Sequence, residues 1–187
     1  MDPKVVTAII IGLAVLVIAV LLIARSRRRS MHLREQFGPE YERALLQHRD
    51  SSKAEAMLAD RETRVQKLAI RQLPVTESAA YADEWAVVQR RFVDDPSIAV
   101  SEADRLVNRV MNACGYPTGD YDQRAADISV NHPAVVQNYR QARNIFVRHS
   151  GGRATTEDLR QAMVYYRSLV DELLAEPISP VLLRRAS

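Results

Sequence analysis

Cysteine is almost absent from this chain, since Cys114 is the only one in 187 residues. One thiol cannot form an internal disulfide, so the fold must be stabilised by its hydrophobic core. Histidine is also scarce, and none of His32, His48, His132 and His149 belongs to the HExxH pattern of a zinc-protease helix. The sequence therefore predicts no metal site.

Catalytic and cofactor motifs are missing as well. The segment from Gly119 to Asp122 is similar to the start of a calcium loop, but Arg124 and Ala125 replace its next acid and its required glycine. Cys114 ends an apolar stripe, where a small buried side chain fits better than a nucleophile. We therefore predict no catalytic residue and no cofactor, and an enzyme site assembled from scattered side chains is the less favoured alternative.

The net charge of +3 is unevenly distributed along the chain. Five of the 26 basic residues and one of the 23 acidic residues lie in residues 1–30, which leaves 21 basic and 22 acidic residues after them. A domain that binds nucleic acid usually carries a basic excess on one face. The near balance after residue 30 therefore predicts no nucleic-acid partner.

A single long apolar run, Val5 to Ala24, lies near the N-terminus and contains no charged residue. Twenty helical residues span about 30 Å, which matches the hydrocarbon core of a bilayer. A cleaved signal peptide has a shorter apolar region that ends in small residues, whereas this run ends in arginines. We predict that residues 1–30 form a transmembrane anchor, whose flank next to anionic lipid headgroups consists of Arg25, Arg27, Arg28 and Arg29.

The arginines that follow the run also predict its orientation. Positively charged flanks stay on the cytoplasmic side of a membrane. We therefore expect a single-pass protein of the inner (plasma) membrane with its N-terminus outside and its soluble domain in the cytoplasm. The alternative is an exported envelope domain that is tethered by an uncleaved signal anchor.

Residues 31–73 are charged and carry a thin apolar stripe. A short helix is predicted to begin at Pro39, and the segment Asp50-Ser51-Ser52 to cap a second helix whose stripe is interrupted by Arg61. The stripes consist of Phe37, Tyr41, Leu45 and His48, and of Ala54, Leu58, Val65 and Leu68. A stripe this narrow predicts a helical stalk that lies against the main domain or, less favoured, a self-association seam.

Residues 74–176 show stronger helical periodicity and predict a small bundle of about four main helices. Asp95-Pro96 separates the first two, Asn131-His132-Pro133 starts the third, and Thr155 or Thr156 caps the last. A short helix from Tyr121 to Ile128 is expected, with Asp120 as its cap. No segment shows the alternation of a strand, so the fold is predicted to be all-α, and residues 177–187 to be a flexible tail.

Several stretches are similar to a known group of proteins. They are LREQFGPEYERAL, YADEWAVVQRRFVDDPSIAVSEADRLVNRVM, GYP, QRAADISVNHPAVVQNYR and TTEDLRQAMVYYRSL, between residues 33 and 169. In these stretches the chain resembles a group of uncharacterised bacterial proteins with one N-terminal hydrophobic segment and a helical soluble region. The resemblance implies that architecture and no activity.

Two aromatic segments are candidates for partner binding. Phe37 and Tyr41 flank a predicted helix start, and Tyr116 and Tyr121 lie in a turn rich in glycine. Tyrosine is favoured in interface hot spots, although such rings can equally close the core of a bundle. We expect a non-enzymatic interaction (adaptor or scaffold) module with a protein partner, for which self-association is possible.

Overall fold

The computed structural model describes residues 3–117 and 119–175, without the side chains at 3–11, 14 and 175. These residues form eight α-helices and no strand, which confirms the all-α prediction. The predicted tail, 177–187, lies outside the described residues. The helices are α1 (Pro3–Phe37), α2 (Pro39–His48), α3 (Ser51–Val65), α4 (Val75–Asp94), α5 (Pro96–Ala113), α6 (Tyr121–Asn131), α7 (Val136–Ser150) and α8 (Thr156–Ala175).

Local capping signals determine most of these boundaries. The Asp50 carboxylate accepts hydrogen bonds from the first amides of α3, and Asp95 and Asp120 cap α5 and α6 in the same way. At α8, Thr155 Oγ1 accepts from the Asp158 amide while Asp158 accepts from the Thr155 amide. This reciprocal pair satisfies two amides that a helix start leaves open, so the predicted caps at all four positions are confirmed.

The boundary between α6 and α7 differs from the prediction. α6 continues to Asn131 instead of stopping at Ile128, and α7 begins at Val136 instead of directly after His132. The His132 carbonyl accepts hydrogen bonds from the amides of Val135 and Val136, which forms a turn between the two helices. Pro133 has no amide hydrogen to donate, so it belongs to this turn.

The main hydrophobic core is built mostly from α4, α5, α7 and α8, the four main helices of the predicted bundle, and α6 adds Ala125 and Ile128. The apolar periodicity predicts an inward face for α5 and the residue after it, and one for α8, and every position of both is buried: Ala99, Ala103, Leu106, Val107, Val110 and Cys114, and Leu159, Met163, Tyr166, Val170 and Leu173.

The periodicity also predicts Tyr81, Trp85, Val88 and Phe92 as the inward face of α4, and Val135, Tyr139, Ala142 and Phe146 as that of the next helix. Tyr81, Phe92 and Phe146 are only partly buried against the core, as is Val135, which lies just before α7. Periodicity thus identifies the inward face of each helix, whereas residues at the margins of these faces are only partly buried.

A second hydrophobic cluster joins the end of α1 to α2, α3 and α6. Leu33 and Phe37 of α1 expose 1% and 0% of their surface, and Val130 of α6 belongs to the same cluster. Gly38, with a positive φ of 47°, lets the chain reverse between α1 and α2. The predicted stalk, residues 31–73, is therefore three helical segments folded on one another and on α6.

Gly115 brings the segment after α3 against the end of α5. Its φ is +92°, and a Cβ there would lie 2.3 Å from the Ala69 carbonyl oxygen. The Arg71 amide also donates to the Cys114 carbonyl at 2.9 Å. Only glycine allows this approach, which anchors the irregular segment 66–74 to the bundle.

α1 is a continuous helix of 35 residues, which corresponds to about 52 Å. Within the side chains that the structure describes, no helix is apolar over a stretch long enough to cross a membrane. The predicted span Val5–Ala24 lies partly outside them, since the side chains at 3–11 and 14 are not described.

Candidate functional site

The structure places three of the four candidate partner-binding aromatics inside the protein. Phe37 and Tyr41 lie in the second cluster and Tyr116 in the main core, with 0%, 3% and 1% of their surfaces exposed. The hydroxyls of Tyr41 and Tyr116 bond to Glu55 at 2.8 Å and to Asn131 at 3.0 Å. These rings close the core and offer no surface to a partner in this conformation.

Tyr121 is only partly buried, at the start of α6. Its ring packs on that of Tyr139, with 5.2 Å between centroids, and the Arg143 guanidinium lies 5.6 Å from its centroid. Both contacts hold the ring in one orientation. Tyr121 is therefore the one of the four that reaches the surface.

A buried network of charges, which we call the Glu40 network, connects α2, α3 and α7. The Glu40 side chain is 3% exposed and accepts two hydrogen bonds from Arg140, at 2.6 and 2.8 Å. Arg61 donates to it at 2.9 Å and Arg43 approaches at 3.4 Å. Residues 40 and 140 are far apart in sequence, so this contact fixes α2 against α7.

The charges in the Glu40 network keep the carboxyl ionised despite its burial. Desolvation by itself would raise the pKa of Glu40, but the hydrogen bonds and charges of Arg140 and Arg61 more than compensate. The resulting pKa lies below its ordinary value of 4.5. A carboxylate that is charged and fully bonded in this way is suited to holding helices together and unsuited to proton transfer.

Two further buried carboxylates join other helices. Asp127 of α6 accepts from Arg64 of α3 at 2.8 Å and is 1% exposed. Asp104 of α5 accepts from the Tyr166 hydroxyl of α8 at 2.8 Å, and Arg143 of α7 approaches it at 3.3 Å. Each polar contact thus connects helices that also share apolar contacts.

Sequence reasoning missed the three buried acids, although a signal was present. Glu40 stands three residues after Phe37 and four before Ala44, on the buried face of α2. Asp104 is likewise at helical spacing from Val100 and Val107. An acid at a position where the period requires an apolar residue indicates a buried partner, but the period does not identify that partner.

A groove of about 310 Å³, which we call the α1–α3 groove, separates α1 from the start of α3. It is amphiphilic, because Leu22 and Ala56 lie beside two arginines. Glu55 contributes a carboxylate that accepts a hydrogen bond from the Tyr41 hydroxyl. Its lining residues are Leu22, Arg25, Ser26, Arg29, Ser52, Glu55 and Ala56.

The four predicted membrane-flanking arginines are all exposed on α1. None has an acidic partner within 4.0 Å among the described residues, although most other arginines of the domain are paired. Arg25 and Arg29 line the α1–α3 groove, whereas Arg27 and Arg28 do not. The flank therefore presents uncompensated positive charge on more than one face of the helix.

The groups that could support catalysis are dispersed or buried. Cys114 is 4% exposed, and burial raises the pKa of its thiol to about 11. His132 lies 3.1 Å from Glu172, yet no nucleophile completes a triad in the contacts of the described residues. Those residues also contain no group of three or more potential metal ligands.

The burial of Cys114 predicts slow reaction with thiol reagents. With a pKa of about 11, roughly one thiol in a thousand is ionised at pH 8, against about a quarter at an exposed site. We expect modification of the folded chain at pH 8 to be at least ~100-fold slower than that of an exposed cysteine. A Cys114→Ala/Asn144→Cys variant is the matched control, and equal rates would mean that the thiol reaches solvent.

The chain matches no protein-family model, and no curated protein or solved structure is significantly similar to it.

Proposed function

We propose that the chain is a single-pass membrane protein whose helical domain is a non-enzymatic interaction module at the inner face of the cytoplasmic membrane. The observation that carries the proposal is the character of α1. Its described apolar side chains, from Leu13 to Ile23, each expose half or more of their surface, whereas Leu33 and Phe37 near its end are buried in the domain. One helix therefore presents an apolar surface at one end and is part of a folded core at the other.

The exposed apolar side chains of α1 require an environment other than water. Water disfavours such a continuous exposed apolar surface, and the bilayer is the medium that accepts it. The sequence supports this reading, since Val5 to Ala24 has no charge. The unpaired arginines that follow support an orientation with the domain inside the cell.

The end of α1 that packs against α3 and α6 supports a scaffolding role. The Gln36 amide donates to the Val130 carbonyl of α6 at 2.7 Å, and His32 lies 3.3 Å from Glu62 of α3. Only about one helical turn separates Arg29 from Leu33. A domain held in this way stays at a fixed distance and angle from the membrane, unlike one on a flexible linker.

Cysteine labelling in cells tests the membrane topology. In a Cys114→Ala background, an Asn144→Cys variant carries one exposed thiol on α7. We expect a membrane-impermeant maleimide to label it only after the inner membrane is opened, and to label an Asp2→Cys variant in intact spheroplasts. The reverse pattern would identify an exported domain, and extraction of the wild-type chain by alkaline carbonate would contradict an integral anchor.

A further inference from the structure

We propose that the α1–α3 groove binds the headgroup of an anionic glycerophospholipid, a class for which phosphatidylglycerol is the simplest probe. This inference rests on the proposed function, because it requires the groove to lie at the membrane surface. It goes beyond a general attraction between arginines and anionic lipid. It assigns a bound lipid to two particular arginines.

The register of the helices puts the groove at headgroup level. The contact between His32 and Glu62 sets α1 and α3 side by side with an offset of about 30 residues, and Leu22 and Ser52, which have the same offset, both line the groove. Arg34 of α1 lies 3.9 Å from Glu42 and over the Tyr41 ring, so α2 runs back along α1 and the turn between α2 and α3 lies near the level of Ser26. The predicted span ends at Ala24, so this turn and the groove lie where headgroups begin.

The order of apolar and cationic residues along the groove matches the order of acyl chain and phosphate in a phospholipid. Leu22 continues into the exposed apolar surface of α1, along which an acyl chain can lie. Arg25 and Arg29 follow one turn apart on the same face, where their guanidinium groups can both donate to a phosphate diester. The succession of apolar and then cationic side chains follows the order of chain and phosphate in the lipid.

Charge selects an anionic headgroup over a zwitterionic one. Two arginines and Glu55 give the groove a net charge of +1, which one phosphate diester neutralises. The Glu55 carboxylate accepts a hydrogen bond from the Tyr41 hydroxyl at 2.8 Å, and it can accept a further hydrogen bond from a headgroup hydroxyl. Ser26 and Ser52 add two hydroxyl groups to the same wall. A headgroup with one negative charge and free hydroxyls satisfies this set.

The helix itself supplies a matched control for the arginines. At about 100° per residue, Arg27 and Arg28 project more than about 100° away from the centre of the groove. The double variants Arg25→Gln/Arg29→Gln and Arg27→Gln/Arg28→Gln remove the same charge from the same flank. A topology signal or a diffuse electrostatic attraction depends equally on both pairs of arginines. A lipid site in the groove depends only on Arg25 and Arg29.

Ala56→Trp is an independent variant that leaves the charge unchanged. Ala56 is exposed on the α3 wall of the groove, so a larger side chain fills the groove without entering the core. The full-length protein in neutral detergent is titrated with phosphatidylglycerol or phosphatidylcholine, and bound lipid per chain is measured by native mass spectrometry. Circular dichroism verifies that each variant keeps its helical content.

We expect the wild-type chain to bind phosphatidylglycerol in preference to phosphatidylcholine. Affinity should fall about tenfold or more in Arg25→Gln/Arg29→Gln and in Ala56→Trp, and stay within about threefold of wild type in Arg27→Gln/Arg28→Gln. Equal losses in the two arginine pairs, or unchanged binding by Ala56→Trp, would overturn the proposal. Carbonate extraction of the same proteins separates this failure from loss of the membrane anchor itself.

Discussion

Replacing Glu40 with glutamine is expected to lower the free energy of unfolding by about 3–5 kcal/mol. The change removes the charge that faces Arg61 and Arg140, whose side chains are only 12% and 14% exposed. Two guanidinium groups that are largely shielded from water then lack a counter-charge, and that desolvation cost is the source of the loss. Urea unfolding of the full-length protein in mild detergent, followed by circular dichroism, measures it.

Glu42 provides the matched control on the same helix. Its side chain is 65% exposed and its distance to Arg34 is 3.9 Å, so Glu42→Gln should change stability by less than about 1 kcal/mol. Adding Arg140→Gln to Glu40→Gln should recover part of the loss, because one of the unpaired charges is removed with it. Equal effects of the two glutamate substitutions would show that the Glu40 network is open to water.

Acid should weaken the folded state through the same carboxyl. The folded-state pKa of Glu40 lies below its ordinary value of 4.5, so its contribution is complete above that pH and is lost as pH falls through the folded value. The Glu40→Gln variant lacks this contribution at every pH. Its stability should therefore fall less steeply than that of the wild-type chain below pH 4.5, and parallel curves would contradict the assignment.

Phe37→Ala is the second substitution with a large expected effect, with a loss of about 3–5 kcal/mol. The ring is completely buried where α1 enters the second cluster, so its removal leaves a cavity between α1, α2 and α3. Because Phe37 belongs to α1, the same change should loosen the domain from its helix. Amide hydrogen exchange in residues 30–37 should accelerate together with the drop in unfolding free energy.

Leu46→Ala is the control for Phe37→Ala. Leu46 lies on α2 in the same helical hairpin but is 81% exposed, so its truncation should change stability by less than about 0.5 kcal/mol. A Phe37→Ala loss no larger than that of Leu46→Ala would mean that α1 ends before the domain. The proposed continuity of α1 with the domain would then be incorrect.

Helix positions could be predicted from the sequence where the signals are local. Asp95 followed by Pro96 combines a side-chain cap with a residue that fits the first turn of a helix, and both effects act within a few residues. The start of α2 at Pro39 follows for the same reason. Apolar periodicity identified the inner face of α5, since 3.6-residue spacing alone determines it.

The packing of residues 31–73 could not be predicted in this way. The sequence pattern predicts that Arg61 interrupts the apolar stripe of α3, whereas in the structure Arg61 is a partner of Glu40 and lies near Arg140. The charged appearance of this segment comes in part from groups that are buried and neutralise one another. A single sequence shows the charges but not their pairing across 21 and 100 residues.

At the α1–α3 groove, too, the local features could be predicted from the sequence and the tertiary arrangement could not. The basic flank was visible in the sequence because charge next to an apolar run is a local feature. Its partition into two arginines that line a groove and two that do not depends on the register between α1 and α3. That register comes from tertiary contacts such as His32 with Glu62, which one sequence does not reveal.

We propose that the helical domain is rigidly docked on α1, the helix that carries the proposed anchor. Double electron–electron resonance tests it most directly, with spin labels at Arg28→Cys and Asn144→Cys in a Cys114→Ala background and the full-length chain in lipid nanodiscs. The account predicts one narrow distance distribution, which Phe37→Ala broadens. A broad distribution in the otherwise unchanged protein, typical of a domain on a flexible tether, would contradict it.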